Sequence, residues 1–243
     1  ELADCASPAP LGPGSGLVVD SIAADEWDEC LLKGKFVNQA AADIPDLIET
    51  MRFDPEEGIA ELDRHLERLR GSADALGFSF DRHAARNELQ AATFGKKQKS
   101  VARLLLSPSG AMAIEVKPFA PAAATPVTVE LRALPVEPSD YRLRHKTTNR
   151  RFYDEARREC GGFEVVFTDA DGFVTEGSFT TVFVERGGTL VTPPLSRGLL
   201  PGVLRSVLID SGRAIEGDLT ADDLTGGFLI GNMVRGLIPA RLA

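Results

Sequence analysis

The sequence predicts an α+β protein built as two units, helices on a small antiparallel sheet followed by a larger strand-rich region. Three observations predict it. The clearest amphipathic helix, over residues 59–76, stands beside a hairpin at 101–116. A Pro/Ala tract, Ala120-Pro-Ala-Ala-Ala-Thr-Pro126, then interrupts the patterning. Beyond it, β-branched and aromatic runs are punctuated by Gly and Asp turns, the signature of many short strands. The predicted boundaries are a tail at 1–42, a smaller α+β domain at 43–119, a linker at 120–126 and a larger domain at 127–243.

Taken in order, residues 1–17 are rich in Ala, Pro and Gly and read as a tail or linker rather than a phosphate loop, since no suitable helix follows directly. The run Asp46-Leu-Ile-Glu-Thr-Met-Arg-Phe53 reads as a strand and Asp54-Pro-Glu-Glu-Gly58 as a turn. Ile59, Leu62, Leu66, Leu69, Ala73 and Leu76 recur at alternating three and four spacing, and Gly77 supplies the stop. Glu61, Arg64, His65 and Arg68 fall round the helix from that stripe, where an arginine is either solvated or aimed at a phosphate. A second helix spans about Asp81 to Phe94. Val101–Leu106 and Ala111–Val116 then flank a Ser107-Pro-Ser-Gly110 turn.

After the linker, Val127–Leu131 alternates as a strand. Thr147-Thr148 are expected to cap a helix carrying Phe152, Ala156 and Cys160 at helical spacing. Hairpins follow at 163–176, around Asp169-Ala-Asp-Gly172, and at 179–191, around Gly187-Gly188. A helix is expected to start at Pro201 or just after it, and Phe228–Val234 to form a final strand.

Composition limits the function. With 43% hydrophobic residues, no apolar run of membrane-spanning length and no signal-peptide pattern, a cytoplasmic protein without membrane association is expected. A net charge of -9 argues against a nucleic-acid partner. Cys5, Cys30 and Cys160 have neither metal nor disulfide spacing, so no metal site is expected and a reducing compartment is the default. The chain begins at Glu1 rather than Met, which suggests a piece cut from something longer, or processed.

Lys146 stands out locally. It is crowded by Arg142, Arg144, Arg150 and Arg151, which would oppose its protonation if they lie close. A lysine of lowered pKa can attack carbonyls and hold an aldehyde cofactor as a Schiff base; the competing reading is a hydrated surface cation.

Six segments resemble, in order, the fold-type IV pyridoxal-phosphate enzymes. They are Glu49-Thr-Met-Arg52, His65-Leu-Glu-Arg-Leu69, Lys146-Thr-Thr-Asn149, Val174-Thr-Glu-Gly-Ser178, Gly198-Leu-Leu-Pro-Gly-Val-Leu-Arg205 and Gly231-Asn-Met-Val-Arg-Gly236. The resemblance covers about 43–243. It implies a branched-chain aminotransferase-like fold, with a smaller α/β sandwich and a larger strand-rich pseudo-barrel domain. It implies pyridoxal 5'-phosphate as cofactor, with Lys146 as its covalent partner and proton carrier. Glu176 would pair with the pyridine nitrogen, and Arg68, the Val203 and Leu204 amides and Asn232 would hold the phosphate. Thr180 and Thr181 occupy positions near the ring where relatives often carry Ser and Asn. Relatives are homodimers, so a homodimer is expected here. On the substrate side, Glu49, Thr50 and Arg52 are candidates, and Arg103 either reaches a substrate carboxylate or is an exposed hairpin residue.

The wording Lys-Thr-Thr-Asn-Arg-Arg-Phe-Tyr-Asp and Gly-Leu-Leu-Pro-Gly-Val-Leu-Arg resembles 4-amino-4-deoxychorismate lyase domains fused behind an aminodeoxychorismate synthase. Leu17-Val-Val-Asp-Ser21 with Glu26, Glu29 and Lys33 resembles the end of such a chorismate-utilising synthase. The implied function is a lyase that eliminates pyruvate to give 4-aminobenzoate for folate biosynthesis, from a bifunctional synthase-lyase whose parent chain carries the synthase. The alternatives are a D-amino-acid or branched-chain aminotransferase, and a non-catalytic domain supporting a partner synthase.

Overall fold

The computed structural model describes residues 45–120 and 125–243. The expected 1–42 tail, with Glu26, Glu29 and Lys33, and the middle of the expected linker lie outside the described residues.

The first sheet has four antiparallel strands in the order β2-β1-β3-β4, namely β2 (Gly58–Ile59), β1 (Leu47–Asp54), β3 (Ser100–Leu106) and β4 (Met112–Pro118). Helices α1 (Leu62–Leu76) and α2 (Arg82–Thr93) cover one face. Because strand side chains alternate, Leu47 and Met51 of β1 and Ala102, Leu104 and Leu106 of β3 pack on Leu66, Leu69, Ala73, Ala85 and Leu89 of the helices. Thr50 and Arg103, which lie opposite each other in the register, project from the other face. Helix α1 stops at Gly77, whose φ of 74° needs no Cβ and whose N–H returns to the Ala73 carbonyl. Ile59 does not open this helix as its spacing suggests. It pairs with Phe53 in β2, and the chain turns through Glu61 before α1 begins. Helix α2 is capped by the Asp81 carboxylate, which accepts the His83 and Ala84 amides at 2.8 and 3.0 Å.

The second sheet has eight strands in the order β10-β9-β8-β11-β12-β5-β6-β7. These are β5 (Val127–Ala133), β6 (Glu164–Thr168), β7 (Val174–Gly177), β8 (Thr181–Arg186), β9 (Thr189–Thr192), β10 (Ala214–Glu216), β11 (Phe228–Asn232) and β12 (Gly236–Leu242). The sheet curls until its ends meet: a bridge joins Phe173 to Thr220, and the Val174 amide donates to the Leu219 carbonyl at 2.7 Å. Inside the curl Val127, Val129, Val166, Val182, Val184 and Ile230 fill the space with short branched side chains. Outside it, Phe183 and Leu190 pack on α5 (Val203–Asp210), and Val165 and Phe167 on Leu143 of α3 (Tyr141–Arg144) and Tyr153 of α4 (Arg151–Glu159). Alternation along a strand covered on both faces thus explains the continuous apolar runs of β6 and β8.

Two expectations need correction here. Phe228–Val234 is not the last strand; it turns at 233–235, and β12 returns antiparallel to β11 and parallel to β5. Thr147 and Thr148 do not cap α4. They extend the Lys146 segment along the start of β1, where Thr147 bridges Leu47 and the Thr148 amide donates to the Asp46 carbonyl at 2.8 Å. Among the described residues no helix is long and apolar enough to cross a membrane.

Candidate active site

The open face of the first sheet, the Lys146 segment, α4, the turn from β7 to β8, the start of α5 and the turn from β11 to β12 surround a cavity of about 460 Å³. Lys146 is fixed from behind: its carbonyl accepts the Ile48 amide at 2.8 Å, beside the bridge from Thr147 to Leu47, so the segment runs along the start of β1. Its Nζ lies 3.4 Å from Thr50 Oγ1. Burial lowers the Lys146 pKa to about 7; Arg68, Arg150 and Arg103 reinforce the shift and Glu49 opposes it. The arginine crowding suggested by sequence is therefore a secondary cause. Arg68 and Arg103, which contribute, come from other elements, and of the neighbours in sequence only Arg150 figures.

Behind Thr50, Glu49 points into the helix layer. His65 Nδ1 lies 2.7 Å from its carboxylate, and Arg68 reaches it through Nε at 2.8 Å and Nη2 at 2.7 Å. Burial would raise the Glu49 pKa, but the Arg68 guanidinium and the His65 hydrogen bond hold it far below the usual carboxylate range. Burial also pushes the His65 pKa down, against Glu49. Helical geometry assigned His65 to the solvated face; instead it is 1% exposed, because Glu49 occupies a core-facing strand position and needs polar partners. Glu49 is therefore not a cavity residue. Arg68 uses one more donor on the Pro201 carbonyl, at 3.1 Å, which leaves N–H groups of its five-donor fork for an anion.

Glu176, at the end of β7, is 6% exposed. One carboxylate oxygen accepts the Tyr153 hydroxyl, and the other accepts the Leu200 amide at 3.0 Å. Burial raises its pKa to about 7, with Tyr153, Leu200 and Arg150 opposing. Arg150 lies over the Tyr153 ring at 4.5 Å and donates to the Ser178 carbonyl.

The turn after Glu176 is shaped by a residue that sequence reasoning missed. Glu164 of β6, fully buried, accepts the amides of Val165, Ser178 and Phe179 and the hydroxyls of Ser178 and Thr180. A Cβ at Gly177 would meet Thr180 Oγ1 at 2.3 Å and Glu164 Oε2 at 2.8 Å, so only glycine fits under this clamp. A carboxylate inside an otherwise apolar strand, Phe163-Glu-Val-Val-Phe, was the available signal.

Across the cavity α5 starts at Gly202 with no side-chain cap, so its first amides are open. A side chain at 202 would lie 2.9 Å from Thr181 Oγ1.

The expected cofactor residues Arg68, Lys146, Glu176 and Thr180 all line this cavity, as do Thr181, Val203, Leu204 and Asn232. Two of them also brace the backbone. Thr180 donates to Glu164, and Asn232 braces two turns, donating to the Phe179 carbonyl at 3.1 Å and accepting the Val234 and Arg235 amides at 3.1 and 3.0 Å. Of the expected substrate residues, Thr50 and Arg103 line the cavity and Arg52 and Glu49 do not. Arg52 shares the face of Thr50 but lies one step farther along the strand.

An amino-transferase class IV profile matches residues 46–243. The chain belongs to the class IV aminotransferase family. It is 31% identical over 193 residues to a "Putative aminodeoxychorismate lyase" of Schizosaccharomyces pombe, spanning 74% of this chain and 81% of that protein. A "Putative amino-acid aminotransferase" from Mesorhizobium loti, of solved structure, is 39% identical with a TM-score of 0.77, covering 82% of this chain and all of that one. The PLP-bound form of a "hypothetical aminotransferase" from Mycobacterium tuberculosis shares the fold at 21% identity and a TM-score of 0.70, covering 84% and 83% of the two chains. These class IV neighbours account for the small helix-covered sheet and the large curled one as a fold-type IV architecture.

Proposed function

We propose that this class IV chain binds pyridoxal 5'-phosphate and acts as a 4-amino-4-deoxychorismate lyase, releasing pyruvate and 4-aminobenzoate. The observation that carries the enzymatic reading is Lys146, held at a pKa of about 7 in the same cavity as buried Glu176 and the open start of α5.

The residues fit the cofactor. Arg68 keeps spare donors, and the Val203 and Leu204 amides at the start of α5 provide an anion cradle for a phosphate. Glu176 is an acidic partner for a ring nitrogen, oriented by Tyr153 and Leu200. When bound, the cofactor would supply an aldehyde for the substrate amine and a ring able to take up an electron pair. Lys146 then takes the proton from C4 of the substrate, since near neutral pH much of it is uncharged. Its ammonium can return that proton to the enolpyruvyl group as the carbon–oxygen bond at C3 breaks, giving pyruvate and an aromatic ring. Glu164 and Arg150 hold the turn that carries Glu176.

The lyase reading is supported by the Schizosaccharomyces pombe relative and by the lyase-like wording around Lys146 and Leu200. The Mesorhizobium loti neighbour favours the second reading, an amino-acid aminotransferase on the same residues. Protein loaded with pyridoxal phosphate should convert aminodeoxychorismate to 4-aminobenzoate, and Lys146→Ala should not. Transfer of the amine from D-alanine or a branched-chain amino acid to a keto acid, without 4-aminobenzoate, would replace the lyase reading with the second. A protein that takes up no pyridoxal phosphate would sink both.

A further inference from the structure

Helix α4 and the residue before it present Arg150, Tyr153, Asp154 and Arg157 to the cavity, a spacing of three and four that keeps them on one face. Arg150 and Tyr153 are occupied with Ser178 and Glu176. Arg157 is exposed, and its guanidinium carbon lies 4.2 Å from the centroid of Phe179. On the turn braced by Asn232, Arg235 also lines the cavity, 6.0 Å from the centroid of Phe163. The two phenylalanines meet edge to face with centroids 5.8 Å apart. Among the described residues neither guanidinium is paired with a carboxylate, whereas Arg68 and Arg142, which line the same cavity, hold Glu49 and Asp140.

Stacking on an aromatic face, as Arg157 does on Phe179, holds a guanidinium in place while leaving its N–H edge free, and Arg235 lies at the outer range of such a contact with Phe163. A planar fork so placed matches a carboxylate through two parallel hydrogen bonds and has already lost much of the freedom that binding would cost it. We infer that Arg157 and Arg235 form an anion-receiving rim, which binds a carboxylate at the end of the substrate away from the amine. The site thereby selects substrates with a second carboxylate over those with an apolar side chain. Arg103, beside Thr50 on the first sheet, also lines the cavity and offers a cation on a different element for the other end of a dianion. The inference rests on the reading that Lys146 receives an amine substrate in this cavity, and it adds what the far end of that substrate must carry.

Binding without turnover tests it. Isophthalate, with two carboxylates, and benzoate, with one, are titrated by calorimetry into the full chain loaded with pyridoxal phosphate. Isophthalate should bind at least about tenfold more tightly, as expected for an added charge-assisted contact. Replacing both arginines by methionine should bring the preference within about twofold. The double lysine variant keeps the charges but lacks the forks, and should lose at least about threefold of the preference. Absence of preference in the natural chain, or an unchanged preference in either double variant, overturns the inference. Failure to form 4-aminobenzoate would sink the lyase reading while leaving a rim-dependent preference in place, so the two failures are separable.

Discussion

Replacing Glu164 by glutamine exposes what the buried clamp contributes. In the native chain Oε1 accepts from Val165 N at 2.9 Å, Ser178 N at 3.1 Å and Ser178 Oγ at 2.5 Å. Oε2 accepts from Phe179 N at 3.2 Å and Thr180 Oγ1 at 2.8 Å. All five partners are donors, so glutamine must set its NH2 against one group or the other. Toward Val165 and Ser178 it would oppose two backbone amides. Toward Phe179 and Thr180 it opposes one, since the threonine hydroxyl can rotate and accept. The cheaper orientation still strands the Phe179 amide, at about 1–3 kcal/mol, and the remaining donors lose charge assistance worth about another 1 kcal/mol. A loss of about 2–4 kcal/mol corresponds to a fall in Tm of about 4–16 °C for a chain of this size. Circular dichroism melts of apoprotein and variant measure it, and pyridoxal phosphate uptake should weaken in parallel because Glu176 precedes the displaced turn. A Tm equal to or above that of the natural chain refutes the reasoning. It would mean that the cost of burying the charge, which already pushes the Glu164 pKa up against its donors, exceeds what those donors return.

Two further outcomes follow from the same wall of the cavity. Arg68→Ala should destabilise the apoprotein by about 3–5 kcal/mol in urea denaturation, because it leaves the Glu49 carboxylate buried without its guanidinium; unchanged stability would show that His65 alone suffices. The rate of pyridoxal phosphate uptake should rise with pH. An amine with a pKa of about 7 goes from roughly one-tenth to nine-tenths uncharged between pH 6 and 8, so stopped-flow absorbance should show an increase of about tenfold, and a flat profile would exclude the neutral amine of Lys146 as the reacting form.

Where local chemistry decided the backbone, the sequence was readable. The Gly187-Gly188 turn places both residues at positive φ, 59° and 83°, as a tight hairpin between twisted strands requires. The apolar stripe of α1 and the Gly77 stop also stand as the spacing indicates, from Leu62 onward. Non-local pairing was not readable. Thr147 and Thr148 have the right chemistry for caps, yet β1 offered the Thr148 amide and hydroxyl partners on Asp46, about a hundred positions away. Strand β12 was concealed by Pro239, a residue that argues against a strand. It falls opposite Leu229, and pairing with β5 begins only at Ala240, so the missing N–H coincides with the start of that ladder. The site shows the same division. Motif order gathered Arg68, Lys146, Glu176 and Asn232, which line one cavity, together with Glu49 and Arg52, which do not, and it could not show that Asn232 and Thr180 also brace turns. Nor could it reveal Glu164, whose role depends on a turn fourteen to sixteen positions downstream.

The two central ionisable groups carry an argument of their own. Burial moves Lys146 down and Glu176 up, each to about 7, so one cause takes a cation and an anion from opposite ends of the scale to the same value. Among the described residues neither makes an ion pair of its own: Arg150, which opposes the shift of Glu176, lies over the Tyr153 ring and donates to the Ser178 carbonyl. Glu49, which opposes the shift of Lys146, is already spent on Arg68 and His65, and Glu176 is held by neutral donors, a tyrosine hydroxyl and a backbone amide. A structural ion pair would have joined the two, since direct pairing lowers the cost of burying both. Leaving both unpaired in one cavity leaves an amine that wants an electrophile and a carboxyl that wants a basic nitrogen. A ligand that fits must bring both, together with an anion for Arg68 and the open amides of α5. Those are three chemically different demands on one small molecule, and pyridoxal phosphate meets all of them with its aldehyde, ring nitrogen and phosphate.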